Sequence, residues 1–459
     1  MLPPFVKKFD FRGVYDKDIV DKDAFYLGLA IQKVLPLKRI LIGWDTRASS
    51  KALALNFMQA FQDTDSELNY IDVCSIDFIT AGANAFEFDF SVMFTGSHNP
   101  WDWTGLLMHT AGGASVEGDL VNKIVEEYGK ALNTPYVEPQ ITLSDYINFQ
   151  PMVENIYAQK IEELITLEEI KPLKVLVDLG DGSGFKALDI LERLLPQVSF
   201  KRLNDRKKYD ADTPHTADPS NIENMQQLMD EVKEGNYDCG FAFDSDADRV
   251  LGVDEKGNYI NGSLIGSAMM DNNEALHLSF RKFGYAVECG PSMYNTALKM
   301  DEVQAIPVPV GRSIMRRLIR EDEVDLAVEN VGHFYNKFFF QTDSGAFSLV
   351  QVLFWMSTHG PLSTLAKEHP DGKRTQFTLP KEGKQESGLE KLSHDINQKF
   401  ADRVLKKIDV DGIRYEFYTG NDLTTWYAIR PSGYEPIEKY YFGSLNEEDY
   451  QFLHEKIHK

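Results

Sequence analysis

The sequence predicts an α/β protein of two to four domains, built mostly on parallel sheets and closed by a smaller C-terminal domain of antiparallel α+β character. Three observations carry that prediction. The 459 residues exceed what one hydrophobic core supports. Short apolar runs ending in Gly or Asp alternate with longer segments of helical period, as βα units do. Beyond a polar stretch near residue 370 the pattern changes to strand, turn, strand, loop.

In chain order, "RILIGWD" (39–45) reads as a strand and "KALALNFMQAFQD" (51–63) as a helix. "VNKIVEEYGKAL" (121–132) is another helix, and composition shifts across "LNTPYVEPQ" (132–140). "KVLVDLGDG" (174–182) and "CGFAFDSD" (239–246) read as strands, with "NIENMQQLMDEVKEG" (221–235) as a helix between them. After a second shift at "VDEKGNYING" (253–262) come a strand in "YAVECGPS" (285–292) and an amphipathic helix at "MRRLIR" (315–320). "KEHPDGKRTQFTLPKEGKQESG" (367–388) has the composition of a linker. The segment beyond it, "VDGIRYEFYTGNDLTTWYAIRPSGYEP" (410–436), gives the antiparallel C-terminal domain.

The totals exclude several functions. With 48 Lys and Arg against 71 Asp and Glu, the net charge of -23 repels nucleic-acid backbones and anionic membranes, and no basic patch is dense enough to override it. Cys74, Cys239 and Cys289 are odd in number and lack metal-ligand spacing, which disfavours a disulfide framework or a zinc site and fits a reducing cytoplasm. The N-terminus has no apolar stretch of signal-peptide length, and no run of about 18 uncharged apolar residues occurs. The expected partner is a small molecule.

"FAFDSDADRV" (241–250) places Asp244, Asp246 and Asp248 at every second position, on one side of a continuing strand or converging in a loop. Such a cluster is either a solvated acidic turn or a cation site. Carboxylate oxygens suit Mg²⁺, which leaves positions for phosphate or water. An EF-hand is disfavoured, because Arg249 stands where that loop needs glycine. Arg249 beside a metal suits a phosphoryl group, whose oxygens need neutralising from several directions.

"MFTGSHNPWDWTG" (93–105) sets Ser97 on a tight turn after an apolar segment, flanked by His98 and Asn99 and stiffened by Pro100. A rigid, exposed hydroxyl serves nucleophilic or phosphocarrier chemistry, and the same residues also make an ordinary turn. "RPSGYEP" (430–436) joins a guanidinium, a hydroxyl and a glycine, suited to phosphate oxygens or to a hairpin turn. "DLGDGSGFKAL" (178–188) is one residue short of a dinucleotide fingerprint and reads as structural.

Together these motifs resemble the α-D-phosphohexomutase family, most closely its phosphomannomutase/phosphoglucomutase branch. "TGSHNP" is similar to the family's phosphoserine loop, "DSDADR" to its metal loop, and "RPSGYEP" to its phosphate loop. Lesser matches are "FDFRGVY" (9–15), "GWDTRASS" (43–50), "DPSNIENM" (218–225) and "ENVGHFYN" (329–336), the last like the family's sugar loop. The resemblance implies four domains around a central cleft: three related mixed α/β domains (1–145, 146–254 and 255–366) and a smaller C-terminal α+β domain (367–459). It implies that Ser97 carries a phosphoryl group, with Asp244, Asp246, Asp248 and Ser97 itself holding Mg²⁺. Arg12, Arg249 and His98 then stand around that phosphate. Glu329, His333 and Arg312 face the sugar, and Arg430, Ser432, Gly433 and Tyr434 face its distal phosphate.

The implied reaction interconverts hexose 1-phosphate and hexose 6-phosphate, with mannose or glucose phosphates expected. It runs through phospho-Ser97 and a hexose 1,6-bisphosphate that also serves as activator, in a cytoplasmic monomer or homodimer. Four positions depart from the family pattern: Leu107 replaces a lysine, Arg312 a histidine, Val331 a serine and Tyr434 a threonine. Two readings follow. Arg312 restores the charge lost at Leu107 in a working mutase, or the chain is a divergent paralogue that binds sugar phosphates with weak or no turnover.

Overall fold

In the computed structural model of the chain, which describes residues 3–7, 11–380, 394–431 and 437–457, the strands gather into four sheets. In the first, Arg39–Trp44 lies parallel to Glu67–Val73 on one side and Phe90–Phe94 on the other. Trp103–Thr110 continues antiparallel and is flanked by Phe11–Val14. In the second, Lys174–Asp178 is parallel to Ser199–Leu203 and Cys239–Phe243, and Val250–Asp254 runs antiparallel to the latter. In the third, Lys282–Ala286 is parallel to Gln304–Val308 and Leu326–Val328, and Phe334–Asn336 runs antiparallel. The three units thus share one topology: the first strand lies inside, the second and third flank it, and the fourth turns back on the third.

That topology decides where chemistry can sit. In each unit the chain leaves the first strand toward one side and returns on the other, so a crevice opens at the carboxyl ends of the strands. The turn from third to fourth strand emerges there. It carries Ser97 in the first unit, Asp244 to Arg249 in the second, and Glu329 to His333 in the third. The three sequence motifs therefore occupy equivalent turns of three related domains.

The strands hold these turns rigidly because they are buried on both faces, as parallel sheets covered by helices must be. In the first sheet the alternation of side chains splits the core. Ile40, Ile42, Phe90 and Val92 join one cluster with Leu53 and Phe57 of the helix Ala48–Gln59. Leu41 and Met93 point the other way, into a cluster continuous with the second and third sheets. The helix Gly345–His359 is mostly apolar and almost wholly buried inside that shared core, capped at its start by Ser344.

The fourth sheet is wholly antiparallel, in the order Lys373–Pro380, Ile437–Ser444, Asp422–Pro431, Ile413–Thr419, Val404–Ile408. The reading of 367–388 as a linker needs correction here, since Lys373–Pro380 is an edge strand along the length of Ile437–Ser444. Its Lys, Arg and Pro residues fit an exposed edge, where proline and charge are tolerated. Two other elements are displaced. The helix expected over 221–235 begins only at Gln226, and the strand expected in 285–292 spans Lys282–Ala286 and gives way to the helix Pro291–Ala297.

Buried Arg414 docks the fourth domain on the third. Its Nη1 donates to the carbonyls of Val287 and Cys289, each at 2.8 Å, and its Nε to Glu416 at 2.8 Å. Among the described residues no helix is long and apolar enough to cross a membrane.

Candidate functional site

Ser97 leaves its strand with φ of 49°, a left-handed conformation that a serine adopts only when its surroundings impose it. Arg47 is a main cause. Buried beneath the loop, it donates through Nη2 to the carbonyls of Ser97 (2.8 Å) and Asn99 (2.7 Å), and through Nη1 to Ser245 Oγ (3.0 Å) of the acidic loop. Asp45 pairs with the guanidinium. Ser245 Oγ also donates to the Ser97 carbonyl (2.6 Å), and the Ser97 N–H donates to Thr95 Oγ1 (2.7 Å). The Ser97 hydroxyl is left beside His98 Nδ1 at 3.2 Å, with the residue 5% exposed.

The acidic loop is buried. Asp244, Asp246 and Asp248 each bring one oxygen to within 4.8 Å of the others. Burial, then repulsion from Asp248 and Asp246, pushes Asp244 well above the carboxylate range; burial and Asp248 push Asp246 up to about 6. Asp244 Oδ2, Asp246 Oδ1 and Asp248 Oδ1 accept no hydrogen bond, while Asp248 Oδ2 meets the guanidinium of Arg312. Buried carboxylate oxygens left without donors are costly unless a cation takes them. This donor set is therefore able to hold a metal ion of the hard divalent kind. Thr95 ties the loop to the serine turn by donating to Asp246 Oδ2 at 3.2 Å.

Arg249 ends the acidic loop and joins the three turns. Its N–H donates to Asp244 Oδ1 (3.1 Å), its Nη2 meets His98 Nδ1 (2.8 Å), and its Nε donates to His333 Nε2 (2.9 Å). Arg249 and His333 also form a backbone bridge, and Gly332 accepts from the Val250 N–H at 3.1 Å. Gly332 needs its φ of 103°, and a Cβ there would stand 2.9 Å from the Val250 carbonyl. Burial and the cations Arg249 and Arg12 hold His98 well below the usual histidine range, so its ring is neutral.

His333 Nδ1 lies 2.9 Å from Asp343 Oδ2 and 3.5 Å from Asp248 Oδ1. Burial opposes protonation of His333 and Asp248 and Asp343 favour it, with a net upward shift. The Arg249 N–H entering Nε2 nevertheless needs that lone pair, which makes the ring here the neutral Nδ1–H tautomer.

Glu329 accepts from the Gly311 N–H (2.8 Å) and the Tyr335 hydroxyl (3.0 Å), and burial raises its carboxyl. Arg430 pairs with Asp411 at 2.8 Å, and Asp411 also accepts from the Val310 N–H at 3.2 Å. Ser432, Gly433 and Tyr434 lie outside the described residues.

Arg312, expected to face the sugar, also reaches the acidic loop. Its Nη2 lies 2.7 Å from Asp248 Oδ2 and 3.2 Å from Asp343 Oδ1, as a cation among the carboxylates. Burial works against the charge of Asp343, but Arg312 and the His333 hydrogen bond outweigh it and hold the carboxyl well below its usual range. Leu107 lies on Trp103–Thr110, packed against the shared core, and Val331 sits in the Glu329 to His333 turn. Arg12 enters from Phe11–Val14, where its charge reaches His98 and Asp246.

The sequence reading of site residues passed over Arg47, Ser245, Thr95 and Asp343. "GWDTRASS" and "DSDADR" hold the first two, but the Arg47–Ser245 contact crosses a domain boundary and no local spacing marks it. Asp181, in the glycine-rich segment read as structural, accepts from Thr46 through its carbonyl (2.8 Å), joining the first two domains behind the site.

Three family models match in series. They are phosphoglucomutase/phosphomannomutase alpha/beta/alpha domain I at residues 5–134, domain II at 155–257 and domain III at 274–372. The chain is 26% identical over 457 residues to a phosphomannomutase of Methanocaldococcus jannaschii, covering 98% of this chain and 95% of the relative. A phosphoglucomutase/phosphomannomutase family protein of Burkholderia thailandensis shares the fold at a TM-score of 0.79 and 22% identity, covering 100% of this chain and 97% of that one. Aspergillus fumigatus N-acetylphosphoglucosamine mutase, solved with GlcNAc-6P and magnesium, shares it at 0.60 and 12% identity, covering 97% and 93%. With the matched domains spanning more than two thirds of the sequence and their motif turns meeting at one buried site, the chain belongs to the phosphoglucomutase/phosphomannomutase family, a family of intramolecular phosphotransferases.

Proposed function

We propose that the protein is a Mg²⁺-dependent phosphohexomutase that interconverts hexose 1-phosphate and hexose 6-phosphate through phospho-Ser97 and a hexose 1,6-bisphosphate, with mannose or glucose phosphates as its sugars. The observation that carries this reading is the strained Ser97 turn, with its hydroxyl beside neutral His98 and Arg249 and its loop tied to three buried carboxylates that each leave one oxygen without a donor. Phosphoryl transfer asks a protein mainly for positioning and for charge opposite the transferring group.

Asp244, Asp246 and Asp248, with an oxygen of Ser97, would hold the Mg²⁺. When bound, the cation neutralises charge on the transferring phosphoryl group. Phospho-Ser97 gives that group to the free hydroxyl of a hexose monophosphate: the bond from phosphorus to Ser97 Oγ breaks as the bond to the sugar oxygen forms, the sugar hydroxyl passes its proton to Glu329, and Ser97 Oγ takes one up. The bisphosphate then returns its other phosphate to Ser97. Arg249 and Arg12 face the equatorial oxygens, and His98, whose Nδ1 meets Arg249 Nη2, stands beside the Ser97 hydroxyl. Glu329 and His333 receive the sugar, and Arg430 with Ser432, Gly433 and Tyr434 holds the distal phosphate. Arg312 acts from within the carboxylate cluster, which makes it a partner of the metal loop more than a substitute for the lysine absent at Leu107.

Phosphorus NMR tests the function directly. Protein with Mg²⁺, a trace of hexose 1,6-bisphosphate and separate samples of mannose, glucose and glucosamine 1-phosphate is expected to grow a C6 phosphate signal from mannose or glucose. Folded protein that converts none of them contradicts the mutase and favours a sugar-phosphate binder.

A further inference from the structure

A single chain of polar contacts runs from the third domain through the second to the nucleophile of the first. Asp343 Oδ2 meets His333 Nδ1 at 2.9 Å, and His333 Nε2 accepts from Arg249 Nε at 2.9 Å. Arg249 Nη2 meets His98 Nδ1 at 2.8 Å, and His98 Nδ1 meets Ser97 Oγ at 3.2 Å. We propose that Asp343, on which no sequence motif falls, is a positioning residue for phosphoryl transfer: it fixes the His333 tautomer that aims the Arg249 guanidinium at the Ser97 turn.

Arg249 Nε carries a proton at every accessible pH. Its partner nitrogen on His333 must therefore present a lone pair, which leaves the ring proton on Nδ1. Only an acceptor opposite Nδ1 favours that tautomer over the other, and Asp343 is placed to accept. A guanidinium is planar and rigid, so pinning Nε also fixes where Nη1 and Nη2 point. With Nε on His333, Nη2 falls on His98, and Nη1 stands 3.5 Å from Asp218. If the His333 proton moved to Nε2, two N–H groups would face each other and the guanidinium would have to swing away from His98.

Asp343 is itself held on rigid elements. It pairs in register with Tyr335 at the edge of the third sheet. The next residue, Ser344, caps the buried helix Gly345–His359, and its hydroxyl meets Tyr157 OH of the second domain at 2.7 Å. Tyr157 in turn donates to Asp77 of the first domain at 2.6 Å. The place of Asp343 is thus set where all three domains meet, and the contact chain is complete only while they are docked.

The kinetic arm of the test rests on the mutase reading, and the spectral arm does not. Asp343→Asn is nearly isosteric, and its amide can donate to Nδ1 and so favour the wrong tautomer. In full-length protein labelled with ¹⁵N at histidine, and with His333→Gln used to assign the resonance, wild type is expected to show the Nδ1–H form of His333 and Asp343→Asn to lose it. In the same variant kcat is expected to fall about 10- to 100-fold, as for other outer partners of site histidines, with KM changed less than about threefold. An unchanged His333 signature, or a changed signature with wild-type kcat, overturns the proposal.

If Asp343→Asn does not fold, His333→Gln and His333→Ala replace it. Gln can still accept from Arg249 and is expected to retain more kcat than Ala, and equal losses overturn the proposal. If wild type shows no turnover, the mutase reading has failed, and the His333 signature alone decides the role of Asp343, an unchanged one overturning it.

Discussion

Replacing Arg47 by methionine keeps most of the bulk under the Ser97 turn and removes the charge and the fork of donors. Three losses follow. Asp45, 1% exposed, keeps backbone donors from Arg47 and Gly96 but loses its cation. The carbonyls of Ser97 and Asn99 lose donors at 2.8 and 2.7 Å, and the tie to Ser245 in the second domain is cut. Breaking one side of a buried ion pair costs about 3–5 kcal/mol, and the two carbonyls, which keep Ser245 Oγ and the Tyr209 hydroxyl as donors, act within that figure, because all sit on one guanidinium.

A loss of about 4 kcal/mol lowers the unfolding midpoint of a domain of this size by roughly 10 °C. The left-handed Ser97 then relaxes, so phosphorylation of Ser97 by hexose 1,6-bisphosphate falls along with stability. Arg47→Lys, which keeps the charge and loses the fork, is expected to lie about midway. The assays are thermal unfolding and mass spectrometry of the Ser97 peptide. An Arg47→Met protein within about 1 kcal/mol of wild type, with normal Ser97 phosphorylation, refutes the reasoning.

Buried Asp77 has its carboxyl pushed up to about 6 by burial, against hydrogen bonds from Ser344, Ser75 and Tyr157. Its contribution to stability is complete below about pH 4 and is lost as pH rises through about 6, by about 3 kcal/mol. Asp77→Asn is expected to flatten that slope, and an unflattened profile in denaturant titrations from pH 4 to 7 contradicts it. Mg²⁺ is expected to raise the melting midpoint reversibly with chelator, by the equivalent of about 2.7 kcal/mol at a hundredfold excess over Kd; Asp246→Asn should lose most of that gain, and an equal shift in both proteins counts against the site. At Gly105 an added Cβ would stand 2.1 Å from the Phe11 carbonyl, so Gly105→Ala is expected to displace the strand bearing Arg12 and cost about 1–3 kcal/mol, measurable by thermal unfolding. A variant as stable as wild type would show that the edge strand has room to move.

The α/β class was legible because strands buried on both faces leave continuous apolar runs, as at "RILIGWD" and "CGFAFDSD". The motif residues were legible because each group sits on one short turn. What stayed hidden is long-range. Arg47 and Ser245 are 198 positions apart, and His333 and Arg249 are 84 apart, so no window of sequence holds both members of either pair. Arg312 is expected to face the substrate because it stands in "VPVGRS" where the family pattern has a histidine. Its side chain also reaches Asp248 of the second domain, a contact that only the docking of the two domains decides. Lys373–Pro380 carries linker composition because an exposed edge strand needs the same charged and proline-bearing residues as a loop. The shared strand order of the three domains left no repeat in the sequence, since it is set by which strands pair and not by which residues pair them.

The most direct test of the account is to find where the phosphoryl group rests. Protein incubated with Mg²⁺ and glucose 1,6-bisphosphate, then digested and mapped by mass spectrometry, should carry one phosphoryl group on the peptide holding Ser97. That group should leave when hexose monophosphate is added, and Ser97→Ala protein should not acquire it. Phosphate on another residue, or none on folded wild-type protein, contradicts the claim that this turn is built to carry it.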